Sequence, residues 1–254
     1  NSAAGWSTTG NTGTTPGTNF IGTTDAKDLK IKVNNTIAGS IETSGNIFLG
    51  LNAGIVNTGA NNVGIGGNTL TNNTTGAQNT AIGKFSMEAS TTGSNNTAVG
   101  SSAMFYNVGG ASNVAVGYNA LYSNITGSSN VALGYKALTD ITVGANNIAV
   151  GPNAAAYMNN SSFNVSIGNQ AMYNGSYADY NIAIGYYSLY NVLNGANNIG
   201  IGFRALYSNL ADYNVAIGYY SMNSNTTGDK NVAIGYYTMT DNTTGYNNTA
   251  IGYA

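Results

Sequence analysis

The chain has 254 residues, with 7 Lys or Arg, 9 Asp or Glu, and neither Cys nor His. It therefore lacks thiolate nucleophiles, the commonest general base and the usual zinc ligands, and we expect no metal or cofactor. The net charge of -2 and the few cations argue against nucleic acid as a partner. Because no run of 18 apolar residues occurs, we also predict no membrane span.

The dominant feature is an internal repeat whose copies stand seventeen positions apart. A five-residue repeat motif recurs twelve times: Asn, then Val, Ile or Thr, then a small residue, then Ile, Val or Leu, then Gly. One spacing is shorter by a single position, and a looser thirteenth copy occupies residues 46–50. Leu or Met stands four residues after most closing glycines. The closing glycines are Gly66, Gly83, Gly100, Gly117, Gly134, Gly151, Gly168, Gly185, Gly202, Gly218, Gly235 and Gly252.

Within the motif, large and small residues alternate, which favours a short β-strand, while the many Asn, Gly and Thr residues disfavour helix. We predict an all-β fold, a parallel β-solenoid or β-roll of about 13 coils with one repeat per coil. Each coil would contain the motif strand, a corner, a second extended segment that carries the Leu or Met, and a turn. At the usual strand spacing of about 4.8 Å, the rod would be about 60 Å long.

Each coil offers only about three large apolar side chains, few for the entropy lost in ordering a whole repeat. We expect the two large residues of the motif to face the core together with the Leu or Met. The small residues between them, such as Ala81 and Ala98, would then allow a second chain to approach closely. These considerations predict a homo-oligomer, and specifically a trimer around a threefold axis.

The repeat motif, as in residues 231–235 and 248–252, resembles the repeats of trimeric autotransporter adhesin heads, which are left-handed β-rolls. Residues 6–11, 19–25 and 28–36 are similar to the leading segment of phage tail-fibre proteins, often from the Bacteroidetes and their phages. The adhesin repeat is usually shorter, which implies a longer loop or a wider coil here. Such proteins often end in a self-cleaving chaperone domain that this sequence does not contain, from which we expect a matured product or a fragment.

The resemblance implies an extracellular, non-enzymatic fibre component of a virion tail fibre or, alternatively, of a bacterial cell-surface adhesin. Its partners would be further copies of itself, an upstream or downstream fibre segment, and a cell-surface glycan or receptor. The handedness of the roll is left open by the residues themselves.

Three segments are predicted along the chain. Residues 1–18, rich in Gly, Ser and Thr, are interpreted as a linker. Residues 19–45 are interpreted as an N-terminal β-hairpin that caps the open edge of the array, with a turn at Asn34 and Asn35. Residues 46–254 form the β-roll repeat array.

Tyrosines cluster directly after the closing glycines, often in pairs. They could form a stacked ladder that stabilises neighbouring coils, or a glycan-binding strip, because aromatic faces suit sugar rings. If the first tyrosine of a pair points inward, the second should point outward. The candidate glycan or receptor contacts are therefore Tyr187, Tyr220 and Tyr237.

The recurring Asn and Gly of the motif are interpreted as structural, with amides bonded along the stack. These glycines lack the Lys and the following helix of a phosphate-binding loop. The residues assigned to this structural ladder are Asn79, Asn96, Asn113, Asn130, Asn147, Asn181, Asn231, Gly83, Gly100, Gly117 and Gly134.

Two rival functions come from other classes. An ice-binding surface would use a regular Thr array, but the Thr pairs are interrupted in the middle of the chain. A glycan-cleaving tailspike would use paired carboxylates, whereas those of the array stand at scattered repeat positions, so we predict that the protein is not an enzyme. These carboxylates are Glu88, Asp140, Asp179, Asp212, Asp229 and Asp241.

Overall fold

The structure is a computed structural model that describes residue 15 and residues 21–253. Apart from residue 15, the predicted linker at residues 1–18 lies outside the described residues. The described part of the chain contains fifteen strands, all in one sheet, and no helix. The strands are β1 (Leu29–Val33), β2 (Thr36–Ile41), β3 (Ile47–Leu49), β4 (Val63–Ile65), β5 (Thr80–Ile82), β6 (Thr97–Val99), β7 (Val114–Val116), β8 (Val131–Leu133), β9 (Ile148–Val150), β10 (Val165–Ile167), β11 (Ile182–Ile184), β12 (Ile199–Ile201), β13 (Val215–Ile217), β14 (Val232–Ile234) and β15 (Thr249–Ile251).

Strands β3 to β15 pair in parallel, each with the next along the chain, so the fold is the predicted parallel β-solenoid with one repeat per coil. Equivalent residues pair directly; Ala115, for example, pairs with Ala132. The single shorter repeat keeps this register, because Gly200 still pairs with Ala216. The stack forms about twelve coils, one fewer than the predicted number of about 13. One complete coil connects each of the thirteen strands β3 to β15 to the next.

Each described coil contains one strand, and turns replace the predicted second extended segment, apart from isolated parallel bridges that join Tyr157, Asn174 and Asn191. The Leu or Met lies in one of these turns with a positive φ, as at Leu121 (φ 53°). In the same coil Gly117, Asn119 and Ser129 also have positive φ. Four such residues let the coil close on itself with one strand, because each turns the chain more sharply than extended backbone can.

The orientation of the motif is the reverse of the one expected from the sequence. The central small residue points into the coil and is fully buried, as at Ala98, Ala115 and Ala132. A β-carbon added at Gly200, a central position, would lie 3.1 Å from Cγ of Leu189. The inner side of the strand therefore packs directly against the corner Leu, and this narrow interior has no room for Val or Ile at the central position.

The large residues of the motif accordingly point out of the coil. Val116 and Ile167, for instance, are 40% and 38% exposed. Because the strands are in register, the first and third residues of β4 to β15 form two parallel columns of mainly β-branched side chains. We call these two columns the outer strip.

A hairpin covers the first edge of the array. Strand β1 pairs with β2 and β2 pairs with β3, both in antiparallel fashion, with Asn34 and Asn35 at positive φ in the tight turn between β1 and β2. Phe48 stands at the central position of β3, where later strands hold a small residue, and it is 1% exposed. A β-carbon at Gly54 or Gly64 would overlap its ring. Phe48 therefore fills the end of the core.

Candidate functional site

The residues directly after the closing glycines form a column of stacked rings. Successive rings lie 5.1–5.6 Å apart between centroids and within 16° of parallel. This geometry follows from the register, because the same repeat position recurs at the strand spacing. The rings of this first column are Tyr186, Phe203, Tyr219, Tyr236 and Tyr253.

The predicted contact residues lie beside the first column, in a second one. Tyr220 and Tyr237 are stacked 5.1 Å apart, and Arg204 stands between Tyr187 and Tyr220. The condition on which these contacts were chosen, that the first tyrosine of a pair points inward, is not met: Tyr186 is 41% exposed, more than its partly buried neighbour Tyr187. The inner positions of the corner are taken instead by the small residue and the Leu or Met that follow.

A third column stands five residues after the closing glycines and was missed by the sequence analysis. Tyr173, Tyr190 and Tyr207 stack at 5.1 and 5.0 Å, within 5° of parallel. Tyr187 joins this column to the second by an edge contact of 5.0 Å with Tyr190. Aromatic residues that recur at the repeat spacing were the available signal. We call the three columns together, from Tyr173 to Tyr253, the aromatic ridge.

The stacking of the rings determines which parts of the aromatic ridge are accessible to a ligand. Parallel rings about 5 Å apart cover each other's faces, so mainly ring edges and hydroxyl groups are presented outward. A hydrogen bond with Tyr157, followed by burial, raises the pKa of Tyr173 to about 12, and burial raises the pKa of Tyr190 and Tyr237. These three phenols therefore remain neutral hydroxyl groups near neutral pH and can donate hydrogen bonds to sugar oxygens.

The side chains of the asparagines of the repeat motif form hydrogen bonds within the fold. The backbone N–H of Asn96 donates to Oδ1 of Asn79 (3.0 Å), and Nδ2 of Asn79 donates to the carbonyl of Gly93 (2.8 Å). Because both ends of the amide are bonded to neighbouring coils, these side chains have little capacity for an outside ligand. The same two bonds recur at Asn96, Asn113, Asn130, Asn147, Asn181 and Asn231.

A second asparagine ladder, seven residues after the closing glycines, was also missed. Nδ2 of Asn124 donates to Oδ1 of Asn107 (2.6 Å) and to the carbonyl of Gly127 (2.9 Å). The ladder is interrupted at Ser90 and again over four successive coils, in which this position holds Ile141, Met158, Gly175 and Val192. The Asn residue that precedes each interruption has a buried Oδ1 with no donor. An Asn that stands three residues before a Gly and recurs at the repeat spacing was the available signal.

The closing glycines are required by the backbone. Gly83, Gly100, Gly117 and Gly134 have φ between 125° and 142°, a region that side chains disfavour. A β-carbon on any of them would lie within 2.7 Å of the carbonyl group of the next closing glycine. These glycines therefore allow neighbouring coils to approach each other closely.

The carboxylates are less scattered than the sequence analysis supposed. Asp179, Asp212 and Asp229 share the position two residues before a motif Asn, and the last two lie in adjacent coils. Oδ1 of Asp179 accepts the backbone N–H of Ser162 (2.7 Å), and that of Asp212 accepts the backbone N–H of Ala196 (2.8 Å). Asp229 pairs with its neighbour Lys230 (3.2 Å). Each thus has a bonding partner within the fold.

Among residues 15 and 21–253, no group of three or more Asp or Glu side chains is placed to hold a metal ion. The same residues include no helix long and apolar enough to cross a membrane. No protein family model matches the chain, and no curated protein or solved structure matches it either. The features of the described residues that bear on function are the solenoid, the outer strip and the aromatic ridge.

Proposed function

We propose that this protein is a structural and adhesive component of an extracellular fibre, without catalytic activity. It would form a shaft or head of a virion tail fibre and display a receptor- or glycan-binding surface; the alternative is a cell-surface adhesin of a bacterium. The observation that carries the proposal is the outer strip, an apolar face that runs along nearly the whole array.

The outer strip supports assembly with further copies of the chain. Contiguous apolar patches of more than a few hundred Å² are uncommon on monomeric proteins. Here Ile82, Val116, Leu133 and Ile167 each remain 37–40% exposed, at the same position of their coils. Because every coil repeats the face, identical rods aligned side by side would bury it along their length. A homotrimer closes such a contact around a threefold axis and leaves no strip uncovered.

The charge distribution supports a passive shaft. In the described part of the chain, the ion pairs link Lys30 with Asp28 and Glu42 in the hairpin region, and Lys230 with Asp229. Outside the aromatic ridge, the rest of the array offers little charge to attract ions or polyanions along its flanks. The chemically distinctive surface is the aromatic ridge, which we assign as the glycan- or receptor-contact surface, with Tyr187, Tyr220 and Tyr237 as its contacts.

Binding of the labelled chain to a panel of bacterial cells tests this assignment. We expect saturable binding that Tyr220→Ala with Tyr237→Ala reduces at least tenfold. Tyr246→Ala is the matched control, because Tyr246 is 66% exposed and lies outside the ridge. Negative-stain images of the same protein should show straight rods about 60 Å long. Globular particles, or equal binding by all variants, would contradict the proposal.

The rival functions have their own assays. Thr74 Oγ1 donates to the carbonyl of Thr91 (3.0 Å) and Thr91 Oγ1 to that of Val108 (2.9 Å), so these hydroxyl groups bond along the stack. We expect no thermal hysteresis. We also expect no release of reducing sugar from bacterial surface polysaccharide, and such release would identify a tailspike instead.

A further inference from the structure

Arg204 is the single arginine of the sequence and is enclosed by the aromatic ridge. Its guanidinium carbon lies 5.0 Å from the ring centroid of Tyr207, 5.5 Å from that of Tyr187 and 5.6 Å from that of Tyr220. Phe203 lies at 5.7 Å. Cation–π attraction to several rings at such distances holds a guanidinium in place. The group is therefore positioned before any ligand arrives.

The guanidinium has little to bind within the fold. Its Nη1 donates to the hydroxyl group of Tyr220 at 3.3 Å, and its Nε is buried without an acceptor. None of the ion pairs in residues 21–253 includes Arg204. A guanidinium carries five N–H donors, and a partly buried cation without a counter-charge is unfavourable. Arg204 thus has both the charge and the free donors that binding an anion requires.

The carboxylates of the array do not fill this role. Asp179 and Asp212 accept backbone N–H groups, Asp229 pairs with Lys230, and Asp140 lies near the hydroxyl group of Ser123. The negative charge that would pair with Arg204 is therefore expected to come from a bound ligand and not from this chain.

We propose that Arg204 binds the carboxylate of an acidic glycan, one that carries uronic or sialic acid. The planar fork of a guanidinium matches the two oxygens of a carboxylate. The surrounding rings offer apolar edges, and the hydroxyl groups of Tyr187 and Tyr220 offer hydrogen bonds for the sugar that carries the charge. This inference rests on the proposed function, because it names the class of glycan that the aromatic ridge recognises.

The test uses an array of uronate- and sialate-terminated glycans, each printed beside a counterpart whose carboxyl group has been reduced to the alcohol. The intact chain should bind acidic members and lose at least tenfold in affinity for their reduced counterparts. Arg204→Gln should produce a similar loss, and Arg204→Lys a smaller one, because Lys keeps the charge without the fork.

Lys136→Gln is the matched control. Lys136 occupies the same repeat position in an earlier coil, with its Nζ 5.4 Å from the ring centroid of Tyr135, and its replacement removes the same charge. Its affinity should stay within twofold of the original chain. Melting curves from circular dichroism check that each variant is folded, and if Arg204→Gln does not fold, Arg204→Lys carries the test.

Three results would overturn the inference. Equal losses for Arg204→Gln and Lys136→Gln would show a general charge effect, and preferred binding of the reduced glycans would show that no carboxylate is recognised. A change in oligomeric mass on Arg204→Gln would show that the counter-charge comes from a second copy. If the chain still forms rods and binds cells in these cases, the proposed function stands and this inference alone fails. Absence of any cell or glycan binding would contradict both.

Discussion

At the scale of single residues, the coil is shaped by positions that a side chain ordinarily avoids. Leu121 and its equivalents have φ near +50°, and the closing glycines have φ near +130°. Left-handed backbone costs an L-residue roughly 1–2 kcal/mol. Burial of the Leu or Met and the ladder of motif asparagines offset this cost, and the second ladder contributes in the coils that hold an Asn at its position. No side chain can be accommodated at the closing glycines before Gly252, because their α-carbons face the backbone of the next coil.

Gly117→Ala should therefore destabilise the array strongly. The added β-carbon would lie 2.4 Å from the carbonyl oxygen of Gly134, at a φ of 137°. We expect a loss of roughly 3 kcal/mol in the free energy of unfolding. Gly109→Ala is the control, since its β-carbon would meet only Thr92 Oγ1, at an ordinary 3.5 Å. Denaturant unfolding measures both, and equal effects would count against the close approach of coils at Gly117.

Ser90→Asn should stabilise the protein by about 1 kcal/mol, the usual net value of one hydrogen bond. Ser90 interrupts the second asparagine ladder, and both its Oγ and Oδ1 of Asn73 are buried without partners. An amide at this position can donate to Asn73 as Asn124 donates to Asn107. Ser90→Ala, which adds no donor, should give no such gain. A melting temperature for Ser90→Asn at or below that of Ser90→Ala would refute this explanation.

At the scale of elements, the sequence predicts each strand but not its orientation. Alternation shows that Val114 and Ala115 face opposite sides of the sheet, yet not which side is the core. The deciding fact is the width of the coil, because Leu121 and its equivalents reach the inner face of the strand from the opposite turn. The width of the coil depends on the geometry of its turns, which the pattern of residue types does not predict. The same limit explains why the exposure of the first tyrosine of a pair, such as Tyr186, could not be predicted from the sequence.

Spacing, in contrast, predicts what stacks on what. A constant repeat period implies columns of identical positions, and the rings of Tyr219 and Tyr236 stack as the register requires. The third column of the ridge and the enclosure of Arg204 by rings could not be predicted, since they depend on how the columns lie around the corner. The turn at Asn34 and Asn35 of the hairpin could be predicted from the sequence, because Asn tolerates positive φ.

The hairpin should loosen in acid before the rest of the array. Burial alone would raise the pKa of Glu42, but hydrogen bonds from Asn46, Lys30 and Ser40 outweigh it and lower the pKa below its ordinary 4.5. A bond from the backbone N–H of Thr43, with Lys30 second, lowers the pKa of Asp28. Groups with lowered folded-state pKa stabilise the fold above their ordinary pKa, and this stabilisation is lost as the pH falls through the folded value.

Hydrogen exchange, corrected for intrinsic rates, follows this loss. Amides of β1 and β2 should lose protection as the pH falls below 4.5, while those of β8 keep theirs. Glu42→Gln should weaken the hairpin already at neutral pH and flatten its pH dependence. Simultaneous loss of protection in β2 and β8 would show that these carboxylates do not control the hairpin.

At the scale of the whole molecule, the reversed strand orientation changes what an assembly would bury. The contact would be made not by small residues, as the sequence suggested, but by the Val, Ile and Leu side chains of the outer strip. Apolar area removed from water contributes roughly 25 cal/mol per Å², and the strip supplies such area in every coil. A rod held together in this way would gain stability with each added repeat, as fibres require.

The most direct test is the mass of the intact chain in solution by sedimentation equilibrium. The account predicts a particle of three times the 26.0 kDa chain mass, reduced towards a single chain by Val116→Lys with Leu133→Lys in the outer strip. Val143→Lys, at a residue 52% exposed outside the strip, should leave the trimer intact. A stable 26.0 kDa monomer of the unaltered chain would contradict the account.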